Sequence, residues 1–311
     1  MHPHRRTVLQ GAALAASAIG RAGAEEARTR LVLLGTKGGP RVELGRSNPA
    51  NLLMVDGSPY VIDCGYGVTR QLAGARVPLP SLRNVFVTHL HSDHVLEFGT
   101  MIDAAWSAGL RQQVDAYGPA GLRALAEAFW ESNRFDVETR MADEGKPDPR
   151  RLLAVHDIAG PGPVMADERV RVTAFRTPHP PILEGNYAYK FETRHGTVVF
   201  SGDTAYNPAL AEFARGADIL VHEALYRPGV EALVASIPNA ATLRDHILAS
   251  HTTTEDVGRI AAAAGVRTLV LSHLVPGSDA ITDAQWSEGV RRSYAGELIV
   301  GRDLMEIALP R

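Results

Sequence analysis

Cysteine is almost absent from this chain: Cys64 is the one residue of its kind in 311. A single thiol excludes an intrachain disulfide. It stands in Val61-Ile62-Asp63-Cys64-Gly65, where it reads as a small buried apolar residue at a strand end rather than as a nucleophile. Blocks of like charge are missing too. The formal net charge is −3, arginine far outnumbers lysine, and no segment has the composition of a nucleic-acid-binding arm. The Gly-rich stretch Gly35 to Pro40 lacks the GxxxxGK[ST] pattern, which excludes a phosphate-binding P-loop. No internal repeat stands out. The apolar run near the N-terminus is too short to span a bilayer, so no membrane span is expected in the mature chain.

That N-terminal run reads as a targeting segment. Arg5-Arg6 is followed by Thr7-Val8-Leu9, then by small and apolar residues to Ile19, and Ala22-Gly23-Ala24 offers an A-x-A-like cleavage site. Residues 1–24 therefore read as an export signal, and Arg5-Arg6-Thr7-Val8-Leu9 looks like the twin-arginine type, which carries folded proteins and would allow metal loading before translocation. An ordinary secretory signal with two adjacent arginines is the alternative. Either form predicts a periplasmic or secreted protein.

Beyond it, one domain is expected over residues 30–308. Arg30 to Leu34 reads as a first strand, and Asn51 to Val55 with Tyr60 to Asp63 as a hairpin turning at Asp56-Gly57-Ser58-Pro59. Helices are predicted over Val95 to Gly109 and Gly121 to Asn133, around a short strand near Ala116. Residues 134–150 mix charges with Pro147 and Pro149 and read as a surface loop. Strands follow at Leu152 to Asp157, Val170 to Phe175, Tyr187 to Glu192 and Thr197 to Phe200. A helix over Pro208 to Arg215 precedes the apolar run Ile219-Leu220-Val221. Residues 226–248 are ambiguous, with a helical cover as one reading. Thr254 to Ala264 reads as a helix and Thr268 to Leu271 as a strand. Two groups of strands with interleaved helices imply a layered α/β architecture.

The chemistry concentrates in Thr88-His89-Leu90-His91-Ser92-Asp93-His94, at the end of the apolar run Asn84-Val85-Phe86-Val87. In an extended segment, residues two apart share a face, so His89 and His91 can grip one metal together. Asp93 and His94, beyond the turn, point elsewhere and can hold a second. Imidazole with carboxylate suits zinc, with manganese or iron on the same ligand types, and the expected content is two ions per chain. Three further polar groups end apolar strands: Thr177-Pro178-His179, Ser201-Gly202-Asp203-Thr204 and Ser272-His273-Leu274. His156 and His195 lack companion ligands and read as structural.

Together these segments resemble the metallo-β-lactamase fold superfamily, over nearly all of residues 30–308. The resemblance implies a four-layer αββα sandwich. It also implies that His89, His91 and His179 hold one metal, that Asp93, His94 and His273 hold another, and that Asp203 bridges the two. The nucleophile would be a metal-bridging hydroxide, aimed by Asp93. Asp63 would orient a metal-binding histidine, with a simple turn cap as the alternative. A bridging Asp at this point is a feature of the superfamily's phosphodiesterases rather than of its β-lactamases. His222-Glu223-Ala224 and His251-Thr252-Thr253-Thr254 resemble motifs of ribonuclease Z and its arylsulfatase and phosphodiesterase relatives, in which Glu223 and His251 would deliver a proton to the leaving group. His222 reads as structural, and His246 has no assigned role.

One departure from bacterial ribonuclease Z concerns the tRNA-gripping arm, inserted there between the third histidine motif and the bridging aspartate. Here only 24 positions separate His179 from Asp203 (203 minus 179), and two strands fill the interval. With the mildly acidic balance, this predicts an exported dinuclear hydrolase of small anionic phosphodiesters or aryl sulfates, with no nucleic-acid partner. The alternatives are a tRNA 3′-processing endoribonuclease and a lactone, ester or β-lactam hydrolase. Intact ligands argue against a non-catalytic metal-binding protein. A homodimer is possible by analogy with relatives.

Overall fold

The computed structural model describes residues 29–237 and 241–309; the expected export segment, residues 1–24, lies outside them. Among the described residues the strands form two seven-stranded sheets. The first opens with β1 (Arg30–Gly35), β2 (Ala50–Val55) and β3 (Ser58–Ile62), joined antiparallel. The β2–β3 turn is made by Asp56 and Gly57, both at positive φ, as a tight two-residue hairpin requires. β4 (Asn84–Phe86), β5 (Val114–Pro119) and β6 (Leu153–Ile158) then add in parallel. The last strand of the chain, β14 (Met305–Ala308), returns to the free edge of β1.

The second sheet runs β7 (Gly162–Ala166), β8 (Val170–Arg176), β9 (Tyr187–Thr193) and β10 (Gly196–Phe200) antiparallel. It continues in parallel through β11 (Ile219–Leu225), β12 (Thr268–Val275) and β13 (Glu297–Val300). β11 and β12 are buried at every position, as expected of central strands covered on both faces.

Three cores separate four layers. Between the sheets, Leu31, Leu33, Tyr60 and Phe86 meet Tyr189, Phe191, Val198 and Val270. On the outer face of the first sheet lie α1 (Val68–Gly74), α3 (Phe98–Ser107) and α4 (Leu122–Ser132), packed through Leu72, Met101, Trp106 and Trp130. On the outer face of the second lie α6 (Ala209–Phe213), α9 (Thr254–Ala264) and α10 (Asp283–Arg291), packed through Leu210, Ile260, Trp286 and Val290. This is the expected αββα sandwich, in which each sheet has one face on the other sheet and one on helices. No helix among the described residues is long and apolar enough to cross a membrane.

Some expectations need correction. The single helix expected over 95–109 is two, α2 (Ser92–Val95) and α3, because the chain turns between the ligand-bearing segment and the core-facing helix. Residues 134–144 are not loop but α5 (Arg134–Glu144), in which Arg140 pairs with both Asp136 and Glu144 at 2.8 Å one turn away on either side. Only Val137 of this helix is buried, so it carries almost no apolar periodicity to read. The ambiguous stretch after β11 forms α7 (Arg227–Ala235) and α8 (Leu243–Ser250). His156 pairs with Asp115 at 2.8 Å and His195 with Asp56 at 3.0 Å, so both are structural as expected.

Phe86, fully buried, stacks on Tyr117 at 5.1 Å and meets Phe191 edge-on at 5.0 Å. It joins the two sheets on the strand that delivers the histidine segment. Phe86→Ala should destabilise the fold by about 3–5 kcal/mol, read as a lowered midpoint in urea.

Candidate metal centre

The candidate ligands, Asp63 and Glu223 come from strand ends at the same edge of the sandwich, and His251 from the link between α8 and α9. Asp63 follows β3, the histidine segment follows β4, His179 follows β8, Asp203 follows β10, and Glu223 and His273 lie in the last turns of β11 and β12. The carboxyl ends of parallel strands are where open α/β sheets place ligands. Pairing between β11 and β12 slips at Glu223, between His222–Leu271 and Ala224–Leu274. This bulge frees Glu223 and His273 from the ladder, and His273 takes a positive φ of 46°.

Ring nitrogens of His89, His91 and His179 converge: His89 Nε2 and His179 Nε2 lie 3.0 and 3.1 Å from His91 Nδ1. Asp93, His94, Asp203 and His273 form a second group beside them, all buried. Asp203 reaches both. Its carboxylate is 3.0 Å from His273 Nε2 and 3.3 Å from His94 Nε2, and 3.8–3.9 Å from His179 and His89. The seven expected ligands are therefore together, with Asp203 between the two sets.

The partners behind these groups set their orientation. Asp63 accepts from His94 Nδ1 at 2.9 Å, which leaves Nε2 facing inward; its other oxygen accepts the Thr88 amide at 2.8 Å. The orienting role anticipated for Asp63 is the one its geometry gives. His179 Nδ1 donates to the Ser250 carbonyl at 2.9 Å, so its Nε2 carries the lone pair. Glu223 accepts at Oε1 from the Thr204 and Thr252 amides, at 3.1 and 3.0 Å, and at Oε2 from His251 Nδ1 at 3.1 Å. Thr253 caps α9 and so holds the His251 segment against the site. The His251 ring lies 5.2 Å from that of His179 and 5.4 Å from that of His273. Buried His222 points its Nδ1 at the Glu223 carbonyl, 2.7 Å away, and takes no part in the cluster. Cys64 lies fully buried behind the site, and burial pushes its thiol up, away from a reactive thiolate.

Sequence reasoning missed several residues. The Gly39 amide donates to Asp93 at 3.0 Å, and a side chain at Gly38 would meet the His273 ring at 2.8 Å. Asn48 holds the Gly39 carbonyl at 2.6 Å, and Asn186 holds the Asp203 carbonyl at 2.7 Å. The Gly38-Gly39 pair after β1 was a visible signal of close approach; the two asparagines had none.

Charge separates the two groups. Burial lowers His89 and His179, and brings His91 down to about 4, so these rings are neutral and ready to ligate. Burial opposes charge at His94 and His273 as well, but the carboxylates around them together outweigh it, Asp203, Asp63 and Asp93 at His94 and Asp203 and Asp93 at His273: His94 rises well above its usual value and His273 to about 10. Despite burial, the same histidines hold Asp203 well below the carboxylate range. Yet His94 Nε2, Asp203 Oδ1 and both nitrogens of His273 are buried without a hydrogen-bond partner among the described residues. Inward-facing imidazole and carboxylate atoms that satisfy nothing in the protein fit a metal cation.

Metal uptake by chelator-stripped protein should therefore release protons from His94 and His273 and weaken as pH falls. Conversely, the stability that charged His273 lends the stripped fold is full below about 6.5 and fades as pH rises through about 10. Titration with zinc in buffers of different ionisation enthalpy measures the protons released. Asp203→Ala, which removes the one group shared by both sets, should lower the metal content seen in elemental analysis of the wild type.

Comparison with known proteins agrees with this geometry. A family profile described as a beta-lactamase superfamily domain matches residues 59–274. Ribonuclease Z of Mycolicibacterium paratuberculosis is 31% identical over 280 residues, covering 89% of this chain and 97% of that protein. Ribonuclease Z of Mycobacterium bovis is 29% identical over the same share. Among solved structures, the metallo-beta-lactamase fold protein YhfI from Bacillus subtilis superposes with a TM-score of 0.66 at 20% identity, covering 90% of this chain and 99% of that one. The short form of human tRNase Z superposes at 0.63 and 20%, covering 91% and 100%. These relatives correct the expected location: ribonuclease Z is a cytoplasmic tRNA-processing enzyme, which conflicts with a periplasmic or secreted protein. With its sandwich, its strand-end ligand cluster and these relatives, the chain belongs to the beta-lactamase superfamily, as a metallo-β-lactamase-fold hydrolase with ribonuclease Z homologues.

Proposed function

We propose that this protein is a metal-dependent phosphodiester hydrolase. The observation that carries the reading is the position of buried Asp203 between two ligand groups, with the Glu223–His251 pair at their side. His89, His91 and His179 would hold one ion and Asp93, His94 and His273 another, with Asp203 common to both; the donor set suits zinc, and manganese or iron would fit the same atoms. Ions held there would supply Lewis acidity and neutralise charge for an in-line displacement at phosphorus.

The chain's own residues would do the rest. Asp93, fixed by the Gly39 amide, accepts a hydrogen bond from the attacking water and aims it. Glu223, pinned by the Thr204 and Thr252 amides, holds the His251 imidazole by its Nδ1. His251 Nε2 is then the group that hands a proton to the departing oxygen. Burial of Asp93, Asp203 and Glu223 strengthens each of these interactions.

The ribonuclease Z relatives favour RNA 3′-end cleavage, the alternative drawn from the sequence, over small-molecule hydrolysis. One specific feature supports a second substrate reading. β9 and β10 fill the interval between His179 and Asp203, which leaves no inserted arm there to grip an RNA. Assay of the metal-loaded protein on a precursor tRNA and on bis(4-nitrophenyl) phosphate separates the two. Site-specific tRNA cleavage would establish the first, and diester turnover without it the second. Turnover of an aryl sulfate, ester or β-lactam in preference to both would sink the phosphodiester reading.

The proton-delivery step has its own test. His251→Ala should lower kcat by about 10²–10⁴-fold on a substrate with a poor leaving group, with metal content unchanged. The loss should shrink for nitrophenolate, which departs without a proton. Glu223→Gln should follow the same pattern more mildly, and the double variant should be little worse than His251→Ala. Equal losses on both leaving groups, or loss of metal, would contradict the assignment.

A further inference from the structure

A cavity of about 650 Å³ adjoins the candidate metal centre, within the range of pockets that bury whole small molecules. Its walls come from the loop after β1, from α7 and α8, and from the turn after β12. Leu233, Ile247, Val275, Pro276 and Ile281 make a mainly apolar lining, with Lys37, Arg41 and Glu43 along the loop side. Leu233 and Leu243 pack on the small cluster of Leu225, Val230, Ile247 and Val275, yet both stay half-buried because their outer surface faces this space. The two cations beside it are already engaged. Lys37 Nζ donates to the Gly38 and Gly39 carbonyls at 3.2 Å each, and Arg41 donates to Ser236 Oγ at 3.2 Å.

The cavity and the smaller cleft that contains His91, Asp93, His179, Asp203 and His273 share Gly39, Pro40, His246 and His251. His251 thus stands at the junction. A proton handed over by His251 goes to the leaving oxygen, so the group carried by that oxygen lies beyond His251, in the apolar space. We infer that the leaving alcohol of the substrate is a large apolar group, aryl or alkyl, seated in the cavity between α7, α8 and the loop after β1. This rests on the phosphodiester reading and narrows it to small diesters. A polynucleotide leaving group would bring charged phosphates into a space whose cations are engaged and whose walls offer mostly hydrocarbon. His246, on α8 at the same junction, borders the departing group.

The test uses metal-loaded full-length protein and a series of (4-alkylbenzyl)(methyl)phosphinic acid anions, in which both carbon groups are bonded directly to phosphorus, so that the centre is anionic and there is no ester bond to cleave. Calorimetric Kd should tighten by about fourfold for each methylene added to the alkyl group, until the cavity is full. Ala232→Trp should flatten that dependence, because Ala232 lines the cavity from the exposed side of α7. A Kd independent of chain length in the wild-type protein overturns the inference whatever the variant does. Turnover of bis(4-nitrophenyl) phosphate, measured in parallel, judges the underlying reading. Turnover with chain-independent binding removes the cavity's role alone, whereas graded binding with no turnover of any diester overturns the phosphodiester reading and this substrate class together.

Discussion

The structure turns on a single buried carboxylate. Asp203 is 2% exposed and ionised, an arrangement that costs several kcal/mol unless positive charge or a cation compensates it. In the protein that compensation comes from His94 and His273, which are drawn into their charged forms against the pull of burial. The neutral trio His89, His91 and His179 lies on its other side. One group of atoms asks for a cation by charge and the other by lone pairs, and Asp203 is the point where the two demands meet. The rest of the site can be understood as the scaffolding that keeps this carboxylate where it is.

That scaffolding draws on both halves of the sandwich. Asp63, Thr88 and the histidine segment come from the first sheet; His179, Asp203, Glu223 and His273 come from the second. Neither sheet could assemble the cluster alone, so the inter-sheet core around Phe86, Tyr189 and Phe191 is also what sets distances within the site. The β11–β12 bulge contributes at the opposite scale. By releasing two adjacent strand positions from the ladder, it turns Glu223 and His273 toward the cluster instead of leaving them to alternate across the sheet. The Gly38–Gly39 segment closes the arrangement from above, with a backbone amide on Asp93 and no side chain to push His273 away.

The chemical core and its cover differ in construction. The ligand-bearing segments are held by strand ends, by the Asp63 and Glu223 hydrogen bonds and by the burial of most of their donor groups. In the cover, α7 and α8 rest on a small cluster, with Val230, Ile247 and Val275 at its centre. Such a division lets one reaction centre serve different substrates, because the cover can change shape without disturbing the groups that perform the reaction.

Much of this protein was readable in its sequence. The dense His-x-His-x-Asp-His spacing, and a polar ligand type closing each of several apolar strands, marked the candidate ligands that the structure brings together, because metal coordination demands particular donor atoms at short range and strand ends deliver them. The layered α/β fold followed from the alternation of strands and helices. Helix α5 was missed because its exposed ion pairs leave no apolar stripe, and the twofold break at α2–α3 because a turn there has no Gly or Pro to announce it. Residues 1–24 suggested a destination that the relatives do not share. What the sequence by itself determined is the set of donor atoms and the strands that carry them. What only the tertiary structure decided is that Asp203 stands between two groups, that Glu223 meets His251 across 28 positions of chain, and that an apolar cavity opens beside them. Those depend on contacts between segments far apart in the chain, and no local pattern of residues encodes such a distance.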